Sequence, residues 1–80
     1  MTRNDFIDGI VRWINHRLAP PGFVVEPDTE LFGGGLIDSM RILDLIAWTE
    51  RAIGRPIPDD QVLMDNFGTP RRIAETFLEG

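Results

Sequence analysis

The sequence predicts an all-α fold: a bundle of four helices, three longer and one short, with a long loop between the first two. Three observations point to it. Apolar residues recur at helical spacing in three separate windows. The one run that could pass for a strand, Phe23–Val24–Val25, has no partner strand anywhere in the chain. Prolines stand at the ends of the periodic windows, where a helix must stop or start.

The first helix is expected over 2–18. Phe6, Ile7, Ile10, Val11, Ile14 and Leu18 fall on one face. Thr2 and Asp5 stand three apart, as in a capping box with a shortened acid. Gly9 weakens this helix by up to about 1 kcal/mol relative to Ala, and Pro20 and Pro21 end it. Residues 19–37 show no period and carry three prolines and four glycines. A loop of that length is unusual in a compact domain. Its apolar residues, Phe23, Val24, Val25, Leu31 and Phe32, are expected to pin it in order.

The second helix is expected from Asp38 as N-cap, with Ser39 as its first helical residue, to Gly54, which suits the left-handed position after a helix end. Ile42, Leu45, Ile46, Thr49 and Ile53 share a stripe. Pro56 and Pro58 break the next segment, leaving room for one short helix from about 59 to 65, with Val62, Leu63 and Phe67 as inward anchors. In the last helix Thr69 caps, Pro70 takes the first turn, and Ile73, Ala74, Phe77 and Leu78 form the stripe. Gly80 ends the chain. Residues 1–80 are expected to form a single domain.

The totals exclude several functions. A chain of 80 residues buries only about 60–65 % of its unfolded surface, which disfavours a deep substrate cavity. With 42 % hydrophobic and 26 % charged residues the composition is that of a soluble globular domain. There is no cysteine, hence no disulfide framework and no protein thiolate. The net charge of −5 disfavours nucleic acid and suits a basic protein partner. No signal peptide and no apolar run of membrane-spanning length is visible, so a cytoplasmic monomer is expected.

Attention falls on "LFGGGLIDSM", residues 31–40. A serine nucleophile needs a base; the only histidine, His16, reads as a solvated residue of the first helix. Ser39 lacks the glycines of a nucleophile elbow. The chain has no lysine, so no P-loop can form. Asp38, Asp44, Asp59, Asp60 and Asp65 are scattered without EF-hand spacing, and no metal site is expected. No catalytic residue is assigned. Ser39 remains at a helix N-terminus, where free N–H groups favour an anion, with Gly33, Gly34 and Gly35 leaving clearance. It is either a modification site in that field or simply a helix-start residue after a glycine turn.

The second helix offers a further clue. Opposite its core stripe lie Met40, Leu43, Asp44, Ala47 and Arg51, and three of these five are apolar. Either this is a docking surface, or the long loop covers Leu43. Trp48 and Trp13 sit at the boundary, as core-edge or docking residues.

"GLIDSM" resembles the phosphopantetheine attachment motif of acyl and peptidyl carrier proteins. The resemblance extends over nearly the whole chain, through the long loop, "AIGRPIPDD" and "DNFGTPRRIAETF". It implies the carrier-protein four-helix bundle and a protein that catalyses nothing itself. Ser39 would carry 4′-phosphopantetheine, transferred from coenzyme A by a phosphopantetheinyl transferase with magnesium, and Asp38 would contact that synthase and its metal. The arm's thiol would hold cargo as a thioester. Met40, Leu43, Asp44, Ala47 and Arg51 would dock partners: the transferase, an adenylating or acyl-loading enzyme, and downstream tailoring or transfer enzymes. Fatty-acid carriers usually read Gly-Ala-Asp-Ser-Leu before a strongly acidic helix. The Leu-Ile lead-in and Arg41 and Arg51 are similar instead to free-standing aminoacyl, D-alanyl and peptidyl carriers. The alternatives are a fatty-acid or polyketide acyl carrier, and a helical interaction module that keeps the fold without the arm.

Overall fold

The computed structural model describes residues 1–33 and 35–78. The clearance expected of Gly34 and the chain end expected at Gly80 lie outside the described residues. Helix α1 spans Arg3–Arg17 and α2 spans Arg41–Ile53. Two 3-10 turns follow, Asp59–Gln61 and Met64–Phe67. Helix α3, Pro70–Ile73, runs on into a π-helical turn, Ala74–Leu78. Among the described residues there is no strand. The architecture is all-helical, and it fits the carrier-protein fold.

Helices α1 and α3 start where a threonine cap dictates. The Thr2 hydroxyl accepts the Asp5 N–H at 3.1 Å, satisfying one of the free donors of the first turn. The Thr69 hydroxyl does the same for the Arg72 N–H at 3.0 Å, with Pro70 in the first turn. Gly54 closes α2 in the left-handed region, at φ 74°. Its N–H donates to the Glu50 carbonyl, and only glycine takes that conformation without strain.

Phe6, Ile7, Ile10 and Ile14 of α1 are buried with Leu45 of α2, Phe67, and Ile73, Ala74 and Phe77 of the C-terminal helix. The seam between α1 and α2 is aromatic. Trp48 stands edge-on to Phe6 at 5.5 Å and stacks with Trp13 at 6.1 Å. A Cβ on Gly9 would lie 3.4 Å from the Trp48 ring, so this position of α1 packs directly under the indole. Both tryptophans are half-buried.

The described residues of 18–40 contain neither helix nor strand. Their backbone is satisfied partly by turns within the loop and partly from outside. The Asn15 side chain accepts the Val25 N–H at 2.7 Å and donates to the Val25 carbonyl at 3.0 Å. The Leu31 N–H donates to the Gly68 carbonyl at 2.8 Å, and the Arg71 N–H donates to the Pro27 carbonyl at 2.9 Å. The Arg71 guanidinium also pairs with Asp28 at 2.7 Å. Val25, Leu31, Leu36 and Ile37 are buried. Phe23 and Val24 are not the anchors expected: they are 39 % and 72 % exposed. Only Val25, the residue gripped by Asn15, turns inward from that run.

The short helix expected over 59–65 is replaced by the two 3-10 turns, with extended backbone at Leu63 between them (φ −118°, ψ 144°). A segment this short cannot offset the cost of nucleating an α-helix, and 3-10 turns are the usual outcome. Val62 and Leu63 are consequently exposed rather than inward; Phe67 alone of the three is buried. The last helix is also shorter as α-helix than expected, four residues before the π turn. Its end is tied down by Arg55, whose guanidinium donates to the Phe77 carbonyl at 2.8 Å.

Asn15→Ala leaves two backbone groups at Val25 unpaired. It is expected to lower the unfolding free energy by about 2 kcal/mol, read from urea denaturation. A loss below about 0.5 kcal/mol would show that water replaces both bonds.

Candidate functional site

Ser39 lies in the turn that leads into α2. The chain reaches it through a tight loop. The Gly35 N–H donates to the Phe32 carbonyl at 3.1 Å and the Ile37 N–H to the Leu31 carbonyl at 2.9 Å. Gly35 takes φ 75°, which an L side chain rarely adopts. The turn buries Leu36 and Ile37, and Asp38, Ser39 and Met40 emerge immediately after them, all exposed.

Asp38 is the capping group, as expected. Its Oδ1 accepts the Met40 N–H at 3.1 Å and the Arg41 N–H at 2.9 Å. Its carbonyl accepts the Ile42 N–H at 3.0 Å. Regular helix nevertheless begins at Arg41, not at Ser39. A carboxylate that takes the first donors holds Ser39 and Met40 in a capping turn ahead of the helix. Those bonds, from Arg41 first and Met40 second, hold the Asp38 carboxyl below the usual carboxylate range, since they favour its charged form. The Arg41 guanidinium reaches back to the Leu36 carbonyl at 3.2 Å, tying the turn to the loop.

The Ser39 hydroxyl has no hydrogen-bond partner among the described residues, and Ser39 is the only serine in the sequence. By contrast, the hydroxyls of Thr2, Thr29, Thr49 and Thr69 are each engaged with backbone. His16 lies in a separate shallow depression with Asp8, Val11, Arg12 and Asn15.

Beside Ser39 opens a groove of about 390 Å³. Phe32, Ile37 and Ile42 line it, with Val62, Leu63, Met64 and Phe67; Asp38 is the one charged residue on its wall. Sequence reading missed this groove because it placed Val62 and Leu63 in the core. The signal available was the shortness of the segment between Pro58 and Gly68, too short to offset the nucleation cost of the α-helix that would bury them.

Along α2, Met40 and Leu43 are 78 % and 66 % exposed. Leu43 is therefore not covered by the long loop. Asp44 and Arg51 are exposed and Ala47 is half-buried. The opposite face buries Leu45 and Thr49, and the Thr49 hydroxyl is satisfied by the Leu45 carbonyl at 2.8 Å. The five residues named from the sequence thus share an outward face that starts one residue after Ser39.

A protein-family model described as a phosphopantetheine attachment site matches residues 10–77. Among curated proteins no match to the chain was found.

The Asp38 shift has a signed consequence. A lowered folded-state value means that its contribution to stability is complete above the unfolded aspartate value, near about 3.9, and is lost as pH falls through the lower folded value. The Met40 and Arg41 amide resonances should follow a titration with its midpoint below the ordinary aspartate value. Asp38→Asn should remove that titration while α2 keeps its start, because Asn caps about as well. A midpoint at or above the ordinary value would contradict the capping role.

Proposed function

The chain belongs to the phosphopantetheine-attachment family, whose covalent cofactor is 4′-phosphopantetheine, and on that premise we propose that it is an aminoacyl or peptidyl carrier loaded at Ser39. One observation carries the assignment of the residue. Ser39 is the only serine, and its exposed hydroxyl has no partner among the described residues. The surroundings fit a phosphodiester there: the positive end of the α2 dipole favours an anion, and the adjacent groove has room for an extended chain.

Ser39 supplies the oxygen that becomes esterified, and the activating base comes from the transferase. Asp38 stands next to it, exposed, with Met40 and Arg41 N–H groups on Oδ1, and its carboxylate would be the group to meet the transferase and its magnesium. When bound, the cofactor would supply the thiol that the sequence lacks. Met40, Leu43, Asp44, Ala47 and Arg51 present α2 to the transferase, to an adenylating or acyl-loading enzyme, and to downstream transfer or tailoring enzymes. The protein performs no catalysis of its own; tethering raises the local concentration of the cargo at each partner. It acts as one domain and as a monomer, in the cytoplasm, with the paired 3-10 turns in the place of the short helix of a four-helix carrier. No helix among the described residues is long and apolar enough to cross a membrane.

The apolar wall of the groove beside Ser39 favours a second reading, a fatty-acid or polyketide acyl carrier, because an acyl chain would gain from burial there. The arginines of α2 and the Leu-Ile lead-in support the aminoacyl reading.

Incubation with a promiscuous phosphopantetheinyl transferase, coenzyme A and magnesium should add one arm by intact mass, and none to Ser39→Ala. An unmodified protein under conditions that modify a control carrier would defeat the carrier role and leave an unmodified interaction module. Loading the holo form with a panel of adenylating enzymes against acyl-loading enzymes then separates the two cargo classes. Leu43→Asp should leave unfolding within about 0.5 kcal/mol, as an exposed position, yet lower kcat/KM for the transferase about tenfold, as a docking anchor would.

A further inference from the structure

A second groove, of about 340 Å³, lies between α1 and α2. Trp13, Arg17 and Leu18 line it from the α1 side, and Asp44, Ala47 and Arg51 from α2. The last three are residues of the outward face that begins at Met40, so this groove continues that face round to α1. Its electrostatics run against the rest of the molecule. The chain carries a net charge of −5, yet here two arginines stand against one aspartate. Neither Arg17 nor Arg51 has an ion pair or side-chain hydrogen bond among the described residues, and neither has Asp44. Half-buried Trp13 and the small Ala47 give the groove an apolar component beside these charges.

We propose that this groove is a docking subsite for an acidic segment of a partner enzyme: an apolar side chain seated against Trp13 and Ala47, with carboxylates reaching Arg17 and Arg51. Guanidinium groups pair with carboxylates in planar, two-bond geometry, and complementary charge acts mainly on encounter rate and partner choice. The proposal rests on the docking face already assigned to α2. It adds Trp13 and Arg17 to that face and fixes the sign of the partner's charge, which is opposite to what the overall acidity of the chain suggests.

The test uses the full chain, labelled with nitrogen-15, and two synthetic amphipathic helical peptides. They are identical except that glutamates flank the central leucine in one and lysines in the other. At low ionic strength the glutamate peptide should shift the Trp13 indole N–H and the amides of Ala47 and Arg51. It should bind about tenfold more tightly than the lysine peptide, as two exposed ion pairs allow, and the difference should shrink above physiological salt. Arg17→Glu combined with Arg51→Glu should invert the preference, with an unchanged near-ultraviolet tryptophan circular dichroism spectrum showing that the α1–α2 seam is intact. Equal affinity for both peptides, a preference for lysine, or no shift at millimolar peptide would overturn the proposal. Shifts confined to Met40 and Leu43 without charge preference would also overturn it while leaving the α2 docking face in place. Modification of Ser39 is read separately by mass and is unaffected by either result.

Discussion

The pair of hydrogen bonds between the Asn15 side chain and the Val25 backbone is the constraint on which the placement of the site depends. A stretch from 18 to 40 whose described residues form neither helix nor strand has no ladder to satisfy its backbone. Wherever it is buried, each N–H and C=O needs a partner from elsewhere. A primary amide offers a donor and an acceptor side by side, as the backbone of a neighbouring strand would. Once Val25 is gripped, Leu31 can bond to the Gly68 carbonyl and the Ile37 N–H to Leu31. Leu36 and Ile37 then enter the core, and the chain has no course left but to turn outward at Asp38. The exposed serine follows from the two buried residues just before it.

The same division governs α2. Leu45 and Thr49 are buried and Trp48 is locked between Phe6 and Trp13, so the rotation of the helix about its axis is fixed from one side. With that rotation fixed, Met40 and Leu43 must face solvent. Leaving two large apolar side chains exposed gives up burial that the fold could use. A partner surface, as proposed for this face, would recover that free energy on binding, so the proposed docking accounts for an apolar face beside Ser39 that folding alone does not favour.

The sequence made the helices legible wherever a periodic window met a polar cap: Thr2, Asp38 and Thr69 all cap as their positions imply, and Gly54 takes the left-handed conformation. Tertiary partners were not legible in the same way. Asn15 is one polar residue beside a buried stripe, and periodicity cannot say that its partner stands ten residues later in a loop. Phe23, Val24, Val62 and Leu63 were assigned inward because they are apolar, yet burial also requires a backbone direction that leads to the core. In extended or turn conformations successive side chains diverge, and only Val25 and Phe67 of these two runs point in. The helix start at Ser39 was misplaced for a related reason. A carboxylate that takes the first N–H donors can hold a whole turn ahead of regular helix.

The pair of 3-10 turns shows how such a departure bears on the site. Had residues 59–65 formed the continuous α-helix expected, successive side chains would have rotated by roughly 100°. Val62, Leu63 and Met64 could not then all have faced one rim. With extended backbone at Leu63, ahead of the turn that begins at Met64, all three instead border the groove beside Ser39 together with Phe67. Three residues that contribute little to the core thereby form a wall next to the hydroxyl. Pro56 and Pro58, which keep a helix from forming through their own positions, contribute to that wall without touching anything that passes along it.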